Sequence, residues 1–146
     1  MALAAVALSS CGTSTPTAKM STALRPPVIT ESFTHLACSQ NSTMGLEGCA
    51  EVRLLSADRR VNQEVRLLFN LITVKSQTRK FVTAENVWLI SRTADCQSET
   101  SIYQGGTLAP VEYGLCEVSE DQARSAMLHS YFNLLEQGTT PKPAWP

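Results

Sequence analysis

The sequence predicts an all-α fold, a small helical bundle braced by disulfides, and three observations carry that expectation. Apolar residues recur at helical spacing through the longest patterned stretch, from Leu46 to about Lys75. The stretch from Trp88 to Arg124 reads as a helix end, a loop that cannot be helical, and a helix start. Cysteines stand at the edges of the segments that must turn. One long helix, a second helix and a C-terminal helix joined by a Gly-Gly loop is the architecture these features describe. At 146 residues the chain suffices for one domain with a modest core. Lys and Arg number 12 against 13 Asp and Glu, a formal charge of −1. That balance offers no concentrated basic surface of the kind nucleic-acid binding requires.

In chain order, residues 1–10 (MALAAVALSS) are small and apolar, and Cys11 follows at once. Leu8-Ser9-Ser10-Cys11 looks like a bacterial lipobox, in which the cysteine sulfur receives a diacylglycerol and small residues admit the signal peptidase. Residues 1–10 are therefore expected to be a lipoprotein signal remnant, although no Lys or Arg opens them as in most signal peptides. The run is too short to span a bilayer as a helix. Residues 11–30 are rich in Thr, Ser and Pro and read as a flexible tether to the membrane. The folded domain is expected over 31–138 and a disordered tail over 139–146, with Gly138 as the stop of the last helix.

Within the domain, Glu31–Ser39 reads as a short helix and Asn41–Gly48 as a turn flanked by Cys38 and Cys49. The long helix follows. Val61, Val65, Leu68 and Ile72 form its inner stripe, widened by Leu54, Leu55 and Phe69, while Asp58 and Glu64 fall on the polar face. A break is expected at Ser76-Gln77-Thr78. The second helix, Phe81 to about Asp95, would turn Phe81, Ala84, Trp88 and Ser91 inward, with Trp88 as a core anchor. In the loop, Gly105-Gly106 supplies turn conformations and Pro110 biases Ala109 towards extended backbone. Ser119 to Gln122 reads as a capping box opening the third helix, Glu120 to about Gln137, with Ala123, Met127, Tyr131 and Leu134 inward.

Five cysteines leave one over if four pair, and the isolated Cys11 is the natural odd one. Pairing Cys38 with Cys49 and Cys96 with Cys116 is the simplest of three connectivities. No CxxC or clustered His spacing supports a metal site. His35 and His129 have no local motif of nucleophilic catalysis, and Gly105-Gly106 is a turn rather than a phosphate loop. The chain therefore reads as a non-enzyme without cofactor.

Asp58, then Trp88-x-x-x-Arg92-x-x-x-Cys96, Tyr103-x-Gly105-Gly106-Thr107-x-x-Pro110, Cys116 and Arg124 together resemble the LprI-like lysozyme-inhibitor family. These are small helical proteins, secreted or lipid-anchored at the bacterial envelope. The likeness spans about residues 36–130. Departures from the family pattern at Val65, Glu85, Thr93 and Asp121 are expected at helix surfaces or ends. The resemblance implies an exported, lipid-anchored envelope protein that binds and blocks lysozyme and so protects peptidoglycan. The alternative is a non-catalytic adaptor lipoprotein that binds another envelope component. For an inhibitor, the loop Ser98–Tyr113 is the candidate plug. Tyr103 and Gln104 beside Gly105 and Gly106 would be its contacts, with Arg92 nearby as a cation.

Overall fold

The computed structural model describes residues 24–137 and 143–146. Cys11, the tether before Leu24 and the Gly138 stop lie outside these residues. Three long helices make up the described fold: α1 (Thr43–Leu71), α2 (Lys75–Thr100) and α3 (Ala109–Leu135), with a 3₁₀ turn at Ser101–Tyr103. The all-α expectation holds, and both disulfides, Cys38–Cys49 and Cys96–Cys116, are formed.

α1 opens where Ser42 accepts a hydrogen bond from the Gly45 amide, which satisfies one of the donors left free at a helix start. It stops at Ile72-Thr73-Val74, three β-branched residues in succession that disfavour continued helix. The break thus comes earlier than Ser76-Gln77-Thr78, which instead lie in the first turn of α2. Thr78 holds the connection by donating its hydroxyl to the carbonyls of Ile72 and Val74, at 3.2 and 3.1 Å.

α3 also begins earlier than its capping box suggested. It starts at Ala109, with Pro110 in the first turn, where a missing amide hydrogen costs nothing because that group has no partner in the helix. Pro110 is therefore a helix starter and not loop filler, and Ser119 to Gln122 are interior residues of α3.

Residues 24–39 are extended, and the expected helix at Glu31–Ser39 does not form. This segment runs antiparallel along α1. Cys38 is bonded to Cys49, Thr34 and the Leu36 amide donate to Glu51, and Ile29 exchanges backbone bonds with the Asn62 amide at 2.8 and 3.1 Å. The approach is close enough to require Gly45 and Gly48. A Cβ on either would sit 2.3 Å from the Ser39 carbonyl oxygen or 2.6 Å from that of Leu36. The docked chain thus reaches into the segment that composition marked as tether.

α3 is central. It lies parallel to α1, where Leu128 and Phe132 join Val61, Val65, Leu68 and Ile72. It lies antiparallel to α2, through Phe81–Tyr131 and the Cys96–Cys116 bond. The apolar core fills the half near the Ile72–Val74 connection. The α1 stripe read from the sequence is the one buried. The faces read for the other two helices hold only in part: Phe81 is in the core with Trp88 and Tyr131 packed against it. Ala84 and Ser91 of α2, and Ala123, Met127 and Leu134 of α3, are exposed. Trp145, expected in a loose tail, stacks on His129 and tilts against Phe132, both with ring centroids 4.9 Å apart.

Candidate functional site

The end of the bundle away from that core carries the loop, both disulfides and, just beneath them, a buried cluster of charge. Arg92 of α2 is its centre, with 2% of its side chain exposed. Its guanidinium pairs with Asp58 of α1 at 2.9 Å and with Glu117 and Asp121 of α3 at 3.2 and 2.9 Å. Glu31, from the docked extended segment, completes the set. All three long helices and the extended segment therefore send a carboxylate, or the cation itself, to one point.

One guanidinium cannot neutralise four carboxylates, and burial penalises each remaining charge. Desolvation pushes Asp58 up to about 8, with Asp121 and Glu31 adding to the rise against Arg92. Burial likewise lifts Glu117 to about 7 and Asp121 to about 6, Arg92 opposing in both. Tyr113, desolvated beside Glu117, is pushed up to about 12. A small hollow lined by Glu31, Glu51, Tyr113 and Glu117 leads to the cluster. Glu51 behaves differently. Its slight burial would raise it, but hydrogen bonds from Thr34 and the Leu36 amide hold it below the usual carboxylate range.

These shifts make stability depend on pH in a definite direction. Asp58, Glu117 and Asp121 bind protons in the folded chain at pH values where the unfolded chain has lost them. Their contribution is full below about pH 4, the unfolded carboxylate range, and is lost as pH rises through about 6 to 8. The expected result is a melting temperature roughly 5–10 °C higher at pH 5 than at pH 8, about 1–2 kcal/mol for a domain of this size. Calorimetry across that range checks it, and a flat profile would contradict the cluster.

Two further buried carboxylates extend the pattern. Glu85 of α2 pairs with Arg124 of α3, whose guanidinium also lies 5.4 Å from the centroid of the Trp88 ring. Burial raises Glu85 while Arg124 pulls it down. Glu64, fully buried, takes Arg60 at 2.9 Å and the Ser125 hydroxyl at 2.7 Å. Asp58 and Glu64 are thus not on an exposed polar face, and Glu85, Asp121 and Val65 are not surface departures from the family pattern. Each of these acids has a partner on at least one oxygen, while Glu64 Oε2 and Glu117 Oε2 have no hydrogen-bond partner among the described residues and carry an uncompensated desolvation cost.

The loop above the cluster is shorter than Ser98–Tyr113, because Ser98 to Thr100 finish α2 and Ala109 to Tyr113 open α3. What remains, residues 101–108, is tied turn by turn. Gln104 donates to the Ser101 carbonyl at 3.1 Å, Gly106 to that of Tyr103 at 2.8 Å, and Ala109 to that of Gly106 at 2.9 Å. Gln104 and Gly105 adopt left-handed backbone, with φ of 48° and 74°. For Gln104 that conformation costs roughly 1–2 kcal/mol. The neighbouring bonds and the Cys96–Cys116 bridge hold it. Ile102 is 74% exposed at the tip, and Tyr103 is half-buried beside it.

Tyr103, Gln104, Gly105 and Gly106 are together at this tip. Arg92 does not join them, since its guanidinium is enclosed by four carboxylates. Glu31 and Glu117 were missed in the sequence. Glu117, Asp121, Ser125, Leu128 and Phe132 step by four, four, three and four, and that run of mixed polarity on one face was the available signal. Among the described residues no group of His, Cys, Asp and Glu could hold a metal ion, and no helix is long and apolar enough to cross a membrane.

A family model described as "Lysozyme inhibitor LprI" matches residues 37–128, more than half of the chain. No curated protein and no solved structure gives a significant match.

Proposed function

The chain belongs to the LprI family of lysozyme inhibitors, and on that premise we propose that it binds and inhibits lysozyme at the bacterial envelope, protecting peptidoglycan. The observation that supports this reading best is the loop 101–108. It is a self-bonded, disulfide-braced projection with an exposed Ile102, and it needs little further ordering on binding.

Its chemistry suits one kind of contact. A lysozyme cleft binds sugar between two carboxylates. Residues 93–123 contain six carboxylates and no Lys or Arg, so the loop has no cation of its own to set against those acids. The loop instead offers apolar area from Ile102, the Tyr103 hydroxyl and the Gln104 amide. The acidic surroundings would speed encounter with a cationic lysozyme without entering the cleft. The proposal also takes Cys11 as an acylated anchor and the residues after it as a tether, so that the domain works on the exported side of a membrane.

Titration of the purified protein against lysozyme turnover on peptidoglycan tests the reading. Ile102→Ser with Tyr103→Ala is expected to raise the half-inhibitory concentration about 30-fold, as removal of a central anchor does in other interfaces. Equal potency would remove the loop from the contact. Absence of inhibition towards every lysozyme type would leave the adaptor reading.

A further inference from the structure

We propose that the end of the bundle opposite the loop docks on an anionic phospholipid surface. The topology sorts charge in a way that the net value of −1 conceals. Residues 26–58 and 93–121 form the loop half, and they carry ten Asp or Glu against one Arg, Arg53. Residues 65–84 and 122–135, at the opposite end, carry five Lys or Arg and no Asp or Glu. The acids bordering them in α1 and α2, Glu64 and Glu85, are buried and paired. Arg124 is taken up by the buried Glu85. Arg66, Lys75, Arg79 and Lys80 are exposed, and no ion pair among the described residues engages them. Glu136, just past α3, is the nearest acid in sequence on this side.

Two further observations orient this end. The extended segment runs from Cys38, beside the start of α1, through Glu31 at the level of Asp58, to Ile29 at Asn62. The chain therefore enters the bundle from the basic end, where any anchor upstream would hold it. Val74, next to Lys75 at the tip of the α1–α2 connection, and Leu134, near the end of α3, are also exposed. Lys and Arg heads at the phosphate level with a few apolar side chains between them are what a membrane surface accepts. Docked this way, the loop faces away from the lipid, where a soluble enzyme would approach. The inference rests on the envelope location proposed above but not on acylation, and its test contains no lysozyme, so either can fail alone.

The experiment uses the full chain carrying Cys11→Ser, mixed at low salt with vesicles of phosphatidylcholine alone or with phosphatidylglycerol. Sedimentation with the anionic vesicles only, weakening as salt rises, is expected. Lys75→Glu with Arg79→Glu should weaken that binding about tenfold or more. Arg53→Glu with Arg59→Glu changes the net charge equally but on the exposed face of α1 nearer the loop, and should leave binding within about twofold. Circular dichroism confirms that both variants keep their helices. No preference for anionic vesicles, or equal loss in the two variants, would overturn the proposal.

Discussion

Arg92→Met is expected to cost at least about 3 kcal/mol of unfolding free energy at neutral pH, the range found when one partner of a buried ion cluster is removed. Methionine approximately fills the space but leaves Asp58, Glu117, Asp121 and Glu31 around a point with no cation. The loss should shrink at pH 5, where Asp58, Glu117 and Asp121 are largely neutral in the fold. Asp58→Asn separates charge from shape, because it imitates the protonated acid that burial already favours. It should cost less than about 1 kcal/mol at pH 7.5. Urea unfolding of the three proteins at both pH values checks the set. An Arg92→Met loss that is the same at pH 5 and 7.5 would mean that packing, not charge, explains it.

Reduction of the two disulfides is expected to lower the melting temperature by roughly 15–25 °C. The bridges close segments of 11 and 20 residues, and constraining the unfolded chain over such lengths is worth about 3 kcal/mol each. The sum is large beside the roughly 5–15 kcal/mol that holds a whole domain together. The bridges also lie where the apolar core is thin. Their half of the bundle is filled by the Arg92 cluster, with Ala50, Leu54 and Val111 as its small apolar complement. Replacing Cys96 and Cys116 by Ser should therefore loosen the loop end first. Inhibitory potency would fall before the helix signal does. A melting temperature indifferent to reductant would contradict this division of labour.

The long helix was legible because its buried side is apolar over most of its length. Val61, Val65, Leu68 and Ile72 announce their face by spacing alone. α2 and α3 hid theirs. Thr78, Glu85 and Arg92 on one, and Glu117, Asp121 and Ser125 on the other, are buried polar residues. A search for apolar periodicity passes over such a face and selects the wrong one, as it did with Met127 and Leu134. Pro110 misled for a related reason. Its effect depends on whether a helix begins at that residue, and nothing local except the preceding Gly105-Gly106 says that it does.

By itself, the sequence determined the helical class, the long apolar stripe, the cysteines available for two braces and the Gly-Gly bend between the last helices. Local spacing and backbone preference are properties of a segment, so they can be read within it. Only the tertiary structure decided that Glu31, Asp58, Arg92, Glu117 and Asp121 meet at one buried point, and that acids gather at one end and free cations at the other. The energy of a charge depends on what surrounds it, and those surroundings come from residues as far apart in the chain as Glu31 and Asp121.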